Sequence, residues 1–452
     1  MKNRTLTRLL LVNCLLLGLF SCSRRFDKPE SVQDSQLAAG QTGLQNGGAS
    51  QLSPKILVPA YFTGDSPLWD TLITNANLLP EGGIWAIINR VNGPWPGKDT
   101  ALLRKITEFR EAGGKILVYV NTFNYGDSAR PKDSVKLEVD KWYDWYDDEI
   151  DGIFYDQVYP VDGSNAVFYQ DLYQYAKLQD PEAVVMINPG ANTSENYVTY
   201  NGNRVSDVIC TYENIPDYIT WWPFQAWQKN YTRDRLCFLV HTANVNDMFF
   251  SLNDAVTLGY GWYYCTDDVM ANPWDLLPTY LNTLRKAVKA LDNPPATSIV
   301  VDGNASDWNN VLPGAAGTGE LTKLRISNND STLFILLEGT AINGAGNFFM
   351  DTDNIDSTGY HASAWRLPNG CNVRIENNVI YSYTGSGADW SWTSIYTLSN
   401  AQYYRSGTVI ELSIPLSVLG MTKNSYIRAG FYQSTETLPR LSGALVYRKL
   451  KQ

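Results

Sequence analysis

Histidine is scarce in this chain, which has two in 452 residues, His241 and His361. Histidine-rich metal sites and Ser-His-Asp catalysis are therefore excluded as the basis of function. Cysteine is also rare, with six in the chain and none at CxxC spacing. Cys210, Cys237 and Cys265 lie in apolar, strand-like runs and are interpreted as small core residues.

Positive charge is also in short supply. The formal net charge is −10, and no basic run occurs beyond the N-terminus. A nucleic-acid partner is not expected, because neutralising phosphates requires clustered Lys and Arg. Aromatic residues are abundant instead, with 14 Trp and 28 Tyr. Most of these must fill cores, but flat aromatic faces also stack on sugar rings.

The N-terminus has the pattern of an export signal. Lys2, Arg4 and Arg8 precede the apolar run Leu9–Phe20, which is too short to span a bilayer. The segment 1–22 ends in Cys22 with a Leu three positions earlier and resembles a bacterial lipobox. The resemblance implies cleavage before Cys22 and lipidation of its thiol. The alternative is ordinary secretion with an unmodified cysteine.

Residues 23–54 are rich in Gln, Ser, Gly and Ala and nearly free of aromatic residues. Such a segment cannot bury enough apolar surface to order itself, so it is predicted to be a flexible tether. Together with the leader, it predicts an exported protein anchored by lipid at the bacterial cell envelope, in the periplasm or at the outer surface.

The segment 55–293 is predicted to be a (β/α)8 barrel. Short, continuously apolar runs alternate with helical patterns such as Thr100–Ala112, Ser164–Lys177 and Pro278–Leu291. Runs of this kind are typical of parallel strands buried on both faces, and eight units in about 240 residues is the size of one barrel. The eight runs are Ile56–Ala60, Ile84–Asn89, Ile116–Asn121, Gly152–Asp156, Val184–Asn188, Val208–Glu213, Leu236–His241 and Gly261–Thr266.

Seven of the eight predicted strands, all but the first, end in a polar residue. In such barrels the carboxyl ends of the strands meet at one rim, where the active site lies. Convergence of so many polar ends therefore predicts a ligand site, although any single one could serve as a helix cap. The predicted substrate-binding residues are Asn89, Asn121, Asn188, Tyr212, His241 and Asp267.

The barrel segment resembles spherulin-4-like proteins, the spherulation-specific family 4. That family is related to glycoside hydrolases acting on α-1,4-linked galactosamine polymers. The resemblance spans about residues 55–290 and rests on an ordered set of short blocks. They include Ile56-Leu57-Val58-Pro59-Ala60-Tyr61-Phe62, Val118-Tyr119-Val120-Asn121-Thr122, Asp151-Gly152-Ile153-Phe154-Tyr155-Asp156, Asn188-Pro189-Gly190, Tyr212-Glu213, His241-Thr242 and Asn272-Pro273-Trp274.

The resemblance implies an Asp-Glu pair ending strand four and a Glu ending strand six as the catalytic residues. By position these fall on Asp156, Gln157 and Glu213, so Gln157 replaces the family's Glu. Strands two apart lie roughly 10 Å from each other. Inward side chains could therefore bring Asp156 and Glu213 within the ~5–9 Å that glycoside hydrolysis uses. Which of the two is the acid stays open, and no cofactor is expected for the barrel.

The second module begins after Asp292-Asn293-Pro294-Pro295, which breaks the last helix. Residues 296–452 alternate and turn as in an all-β antiparallel sandwich, with a hairpin over Leu321–Gly339. Blocks such as Phe349-Met350-Asp351-Thr352-Asp353 and Glu411-Leu412-Ser413-Ile414-Pro415 resemble family 9 carbohydrate-binding modules.

Two features of this module have two interpretations each. Three carboxylates lie close together in the sequence and either hold a structural Ca²⁺ or form a solvated turn, and they are Asp351, Asp353 and Asp356. Three tryptophans are either a sugar platform or core residues, and they are Trp365, Trp390 and Trp392.

Two functions are compatible with these patterns. The first is a glycoside hydrolase that cleaves an extracellular hexosamine-containing polysaccharide, with endo-cleavage of an α-1,4-galactosamine or N-acetylgalactosamine polymer as the specific form. The alternative is a non-catalytic glycan-binding or adhesion protein that uses the barrel as a scaffold. Asp156 and Glu213 favour the hydrolase, and Gln157 favours the binding protein.

The lipid anchor gives the first testable prediction. Metabolic labelling with a radioactive fatty acid should tag the wild type and leave Cys22→Ala unlabelled, because the thiol is the attachment point. Equal labelling of the two proteins, or labelling of neither, would contradict lipidation.

Overall fold

A computed structural model describes residues 51–94, 97–124, 128–295, 298–365, 369–423, 425–440 and 443–450. The leader 1–22 with Cys22, and the tether 23–54 up to residue 50, lie outside the described residues. Among the described residues, none of the helices combines the length and the apolar character needed to cross a bilayer.

Eight parallel strands close into a barrel, as predicted. They pair in the order β1-β8-β7-β6-β5-β4-β3-β2, with the last returning to the first. Their bounds are β1 Lys55–Ala60, β2 Ile84–Ile88, β3 Lys115–Asn121, β4 Gly152–Asp156, β5 Val184–Asn188, β6 Val208–Asn214, β7 Leu236–Val240 and β8 Trp262–Cys265. Almost every strand residue is buried, which explains the continuous apolar runs.

Six α-helices cover the barrel in the part of the chain that the structure describes. They are α1 Leu68–Ala76, α2 Thr100–Glu111, α3 Lys132–Tyr146, α4 Ala166–Gln179, α5 Val245–Thr257 and α6 Leu281–Asp292. The connections after β5 and β6 carry only short 3-10 turns, at Glu195–Tyr197, Pro216–Trp221, Ala226–Asn230 and Arg233–Arg235. Two small hairpins also occur: Phe123–Asn124 with Ser128–Ala129 follows β3, and Thr199–Tyr200 with Asn203–Arg204 lies between β5 and β6, where Tyr200 accepts a hydrogen bond from Gln170 of α4.

The C-terminal region consists of two antiparallel sheets around one core, which confirms the β-rich module. The first sheet has the order β9-β10-β11-β17-β16, and the second has β15-β14-β13-β12-β18-β19 with β20 beside β18. The bounds are β9 Ala315–Ala316, β10 Leu321–Asn328, β11 Thr332–Gly339, β12 Asn347–Asp351, β13 Val373–Glu376, β14 Val379–Tyr383, β15 Trp392–Thr397, β16 Tyr403–Arg405, β17 Val409–Pro415, β18 Tyr426–Gln433, β19 Glu436–Leu438 and β20 Val446–Lys449.

The barrel and the module share a buried polar contact along α5. Asn253 donates to the carbonyl oxygens of Ala444 and Leu445, at 3.2 and 3.0 Å, and accepts from the amide of Tyr447 at 2.9 Å. The next residue, Asp254, accepts from the amide of Ala444. Because unpaired backbone groups are costly when buried, these contacts fix the chain segment before β20 against the barrel.

A second contact connects the module to the rim of the barrel at which the strands end. The Arg440 guanidinium lies 3.7 Å from the ring centroid of Phe250 and donates to the Pro216 carbonyl oxygen at 2.9 Å. Pro216 lies just after β6, so the module supports the loop that follows this strand.

The buried contact on α5 predicts a loss of stability in Asn253→Ala. The substitution leaves three buried backbone groups without their partner, and we expect the free energy of unfolding to fall by about 2–4 kcal/mol. Urea denaturation of the full chain measures this change. Asn246→Ala, the same substitution at a half-buried position of α5, is the matched control, and an equal loss in both variants would contradict the interface.

Candidate functional site

Asp156 is the last residue of β4 and faces the interior of the barrel. The preceding residue, Tyr155, faces the opposite way, since its hydroxyl donates to the Leu172 carbonyl oxygen of α4. Successive side chains of a strand point to opposite faces, so Asp156 must point inward. The neighbouring strand β5 ends in register with it, with Asn188 as its pairing partner.

Glu213 reaches the same interior because β6 contains a bulge. Its pairing with β7 shifts between Cys210, which faces Cys237, and Tyr212, which faces Phe238. The extra residue, Thr211, points to the outer layer, where its hydroxyl lies 3.0 Å from that of Tyr260. A bulge reverses the alternation beyond it, so Glu213 turns inward.

Because of the same bulge, Tyr212 does not face the barrel interior, where it was predicted to bind substrate. Its ring stacks on Phe238 with centroids 4.2 Å apart, and its hydroxyl donates to the Ile215 carbonyl oxygen. Adjacent residues beyond a bulge cannot both face inward, and Glu213 takes the inward position. Tyr212 therefore lies in the outer layer and not among the residues that face a substrate.

The amide of Asn188 bridges the two carboxyl groups. Its Nδ2 donates to Asp156 Oδ1 at 2.7 Å and to Glu213 Oε2 at 2.6 Å. Because both oxygens hydrogen-bond to the same nitrogen, they are at most 5.3 Å apart. All three side chains are at most 7% exposed, so water screens their interaction poorly.

Each carboxyl group has further donors. Asp156 accepts from the hydroxyl of Tyr119 at 2.7 Å, and Glu213 accepts from the indole N–H of Trp274 at 3.2 Å. Trp274 was not predicted as a site residue. The signal for it was the Asn272-Pro273-Trp274 block after the last strand, but a loop side chain has no periodicity that fixes its direction.

The two acids differ in their protonation. Burial, and secondly the charge of Asp156, raise the pKa of Glu213 from 4.5 to about 8. Burial also raises the pKa of Asp156, but donors at Tyr119, the amide of Gln157 and Asn188 oppose this rise. Donors stabilise the ionised form, and Asp156 has more of them. The pair therefore shares one proton near neutral pH, held on Glu213, while Asp156 carries the charge.

Gln157, which replaces the family's Glu, has an unusual backbone. Its φ of +59° lies in the left-handed region, which is rare outside glycine. This conformation turns its amide towards the Asp156 carboxylate. Its half-buried side chain makes no hydrogen bond to another part of the chain that the structure describes. The backbone amide of Gln157 thus hydrogen-bonds to the pair, whereas its side-chain amide lies at the rim.

His241 lies beside the pair, behind Trp274. The two rings meet edge to face with centroids 5.7 Å apart. Nδ1 lies 2.9 Å from the Thr242 hydroxyl, whereas Nε2 is buried and has no partner among the described residues. Burial lowers the pKa of His241 to about 4, so the imidazole is neutral.

The remaining predicted binding residues hold loops at the rim. Asn89 accepts from the amide of Gly93 at 3.3 Å, and Asn121 accepts from the amide of Phe123 at 2.9 Å. Asp267 accepts from the amide and the hydroxyl of Thr279. These side chains shape the mouth of the barrel, whereas Asp156, Asn188 and Glu213 are in direct contact.

The acidic cluster of the module is organised by an arginine. Arg428 donates to Asp351 at 3.2 Å and also to Asp356. Asp353 is separately engaged by the amide of Ile355 and the hydroxyl of Thr358. The described residues contain no group of three His, Cys, Asp or Glu side chains that could hold a metal ion. The positive charge expected from Ca²⁺ is supplied here by the guanidinium.

Residues 55–288 match the family description "Spherulation-specific family 4" (Spherulin4), just over half of the chain. No curated protein sequence matches the chain. Among solved structures, Aspergillus clavatus Sph3 in complex with GalNAc is 19% identical, with a TM-score of 0.44 and coverage of 53% of this chain and 99% of that one. The ICChI chitinase of Ipomoea carnea is 11% identical, with a TM-score of 0.34 and coverage of 47% and 93%. The ligand-free cyclic α-maltosyl-(1→6)-maltose hydrolase of Arthrobacter globiformis is 12% identical, with a TM-score of 0.34 and coverage of 76% and 92%.

The raised pKa of Glu213 predicts a pH-dependent stability difference. The folded state keeps a proton that the unfolded chain releases above its ordinary pKa of 4.5, so rising pH favours unfolding until about pH 8. Glu213→Gln has no proton to lose. Its melting temperature should therefore rise relative to the wild type across that interval and the difference should level off above it.

Thermal unfolding at a series of pH values measures this difference, with Glu182→Gln at an exposed position as the matched control. A constant difference between Glu213→Gln and the wild type at every pH would contradict a proton held on Glu213.

Proposed function

Because this chain belongs to spherulation-specific family 4, we propose that its barrel is a glycoside hydrolase that cuts an extracellular hexosamine-containing polysaccharide. The observation that carries the proposal is the buried carboxyl pair joined by Asn188. The substrate implied by the family resemblance is an α-1,4-linked galactosamine or N-acetylgalactosamine polymer, cleaved within the chain.

The protonation of the pair assigns the roles. Glu213 holds the proton and acts as the general acid, while the ionised Asp156 acts as the nucleophile. Their nearest oxygens are at most 5.3 Å apart, well below the ~6.5–9.5 Å of inverting enzymes, which leaves no room for a water molecule on the opposite face of the sugar and favours a retaining reaction. The proposed reaction is therefore a double displacement.

The double displacement has two steps. Glu213 gives its proton to the glycosidic oxygen as the bond to the anomeric carbon breaks, and an Asp156 oxygen bonds to that carbon. Glu213, now ionised, takes a proton from water, whose oxygen displaces Asp156. Trp274 and Asn188 donate hydrogen bonds that hold Glu213 in place, and Tyr119 does so for Asp156.

The location of the substrate follows from the N-terminus. Lys2, Arg4 and Arg8 with the apolar run to Phe20 support export, and Cys22 supports a lipid anchor at the cell envelope. The tether would then hold the barrel away from the membrane, where it meets a polysaccharide in the periplasm or at the outer surface. The module after the barrel would be the carbohydrate-binding partner of the enzyme.

A binding-only function is the second candidate, and Gln157 favours it. A glutamine amide can hydrogen-bond a sugar but cannot deliver a proton. If the family's Glu at this position is the essential acid, the barrel retains recognition without cleavage. The rim loops held by Asn89, Asn121 and Asp267 would then serve affinity alone.

Cleavage assays distinguish the two candidates. Asp156→Asn and Glu213→Gln keep the shape of the side chains but remove the titratable groups, so each should lower cleavage of a galactosamine polymer by about 10²–10⁴-fold. Both variants should stay folded and still bind the polymer. Asp144→Asn, the same change at an exposed position of α3, is the matched control and should retain the activity.

Gln157→Glu separates the candidates further. Under the hydrolase hypothesis the wild type cuts the polymer, and this substitution changes the rate little, because the side chain lies at the rim. The hydrolase hypothesis fails if the wild type cuts none of a panel of hexosamine polymers and Gln157→Glu stays inactive.

A further inference from the structure

Two cysteines lie opposite each other on neighbouring strands of the barrel. Cys210 of β6 pairs with Cys237 of β7 in the register of the two parallel strands. Both side chains are completely buried, and both thiols are free in the structure. Neighbouring strands lie about 4.8 Å apart, so residues in register bring their Cα atoms to about that separation. This separation falls within the range of about 4.4–6.8 Å that a disulfide bond requires.

The two thiols point to the same side of the sheet. Tyr212 and Phe238 pair in register and stack in the outer layer. Side chains alternate along a strand, so Cys237, one position before Phe238, faces the barrel interior. Cys210, its partner in register, faces the same way. Burial first, and then a hydrogen bond with the Cys237 thiol, raise the pKa of Cys210. The two thiol groups are therefore in contact.

The other two cysteines of the described residues have different surroundings. Cys265 of β8 faces outward, where its sulfur lies 3.3 Å from the Tyr280 hydroxyl and 3.8 Å from that of Ser251 on α5. Cys371 lies in the module, and its thiol donates to Asn369 at 3.5 Å. Neither of them occupies a position in register with another cysteine within the described strands. They serve as internal controls for the pair in the barrel.

The paired cysteines flank a single connection of the chain. They lie 27 positions apart, on the two strands that this connection joins. Closing a chain segment of this length has a modest entropic cost, so the two thiols can meet before the barrel is complete. Because both are buried in the folded barrel, an oxidant can reach them only while the chain folds. A bond formed at that stage is then protected from reductants by the same burial.

The pair lies beside the bulge that turns Glu213 inward. Cys210 is the last residue of β6 before the register shift. Its carbonyl oxygen accepts from the amide of Gly190 at 3.2 Å, and the carbonyl oxygen of Gly190 accepts from the amide of Glu213 at 3.2 Å. A covalent bond from Cys210 to β7 would fix the strand immediately before the extra residue, Thr211. The inward position of Glu213 would then be secured by more than hydrogen bonds.

We propose that Cys210 and Cys237 form a disulfide bond when the chain folds in an oxidising compartment, and that this bond holds the bulged strand β6 in register with β7. Disulfides form and persist outside the reducing cytosol, and the N-terminal export pattern is compatible with such a location. The proposal concerns the covalent state of the barrel and does not rest on the proposed hydrolase activity.

The bond forms by thiol–disulfide exchange with an oxidised carrier, either glutathione disulfide or an oxidised protein dithiol. One cysteine thiolate attacks the carrier disulfide, which gives a mixed disulfide and releases one carrier sulfur as a thiol. The thiolate of the other cysteine attacks the protein sulfur of the mixed disulfide and releases the second carrier sulfur. The two cysteines lose two electrons and two protons, and the carrier gains both.

Cell-free synthesis of the full chain tests the proposal, because it sets the redox conditions while the chain folds. One reaction contains glutathione disulfide and a disulfide isomerase, and the other contains dithiothreitol. Soluble protein is denatured with iodoacetamide, reduced and treated with N-ethylmaleimide, and its cysteine peptides are identified by mass spectrometry. In the oxidising reaction we expect N-ethylmaleimide on Cys210 and Cys237, and iodoacetamide on Cys265 and Cys371. Without the reduction step, one cross-linked peptide should contain the first two.

Thermal unfolding measures what the bond does. The oxidised wild type should melt about 5 °C above the reduced protein, because the bond restrains the unfolded chain. This difference should disappear in Cys237→Ala, in which Cys210 should carry iodoacetamide under both conditions. Cys371→Ala, the same substitution at a buried cysteine of the module, is the matched control and should keep both the bond and the difference.

Iodoacetamide on both Cys210 and Cys237 after the oxidising synthesis would overturn the proposal. Linkage of either one to glutathione or to another cysteine, in place of the bond between them, would also overturn it. Equal melting temperatures of the oxidised and reduced wild type would refute the stabilising role of the bond. The peptide analysis uses the wild type, so its result does not depend on the folding of any variant.

Discussion

The hydrogen bonds from the Asn188 amide to Asp156 and Glu213 are the contact on which the rest of the site depends. Two buried carboxyl groups this close cannot both ionise without a large electrostatic cost. One nitrogen with two donors satisfies both, and the unequal numbers of remaining donors decide which of them keeps the proton. A single amide thus fixes the separation and the orientation of the pair, and the remaining donors decide its protonation.

The barrel supplies this contact through two local departures from regular strands. Asp156 needs only the normal alternation of β4, but Glu213 needs the bulge at Thr211 to face inward. Gln157 needs a left-handed backbone to direct its amide to Asp156. Such irregularities cost stability, and they recur where a site requires a side chain that the regular fold would direct elsewhere.

Much of this architecture was predictable from sequence, because continuous apolar runs and polar strand ends follow from burial on both faces of a parallel barrel. Asn188 was singled out as a polar strand end, whereas Asp156 and Glu213 were singled out as the catalytic residues that the family resemblance implies. The position of Tyr212 was wrong, because one extra residue in a strand leaves no trace in hydrophobicity. Trp274 and Arg428 were missed, since each acts through long-range contacts that no local pattern encodes.

The module is more closely joined to the barrel than its Pro-rich boundary suggested. Asn253 and Asp254 on α5 bind the backbone before β20, and Arg440 supports the loop after β6. These buried contacts could not be predicted from the sequence, because they join residues that lie far apart in the chain.

The proposed function requires a retaining reaction at the pair joined by Asn188. Its most direct test is a proton NMR record of the first reducing ends released from an α-1,4-linked galactosamine polymer, before mutarotation mixes the anomers. We predict that the α-anomer is released first, since two displacements at the anomeric carbon preserve its configuration. First release of the β-anomer, or no new reducing ends from any hexosamine polymer, would contradict the account.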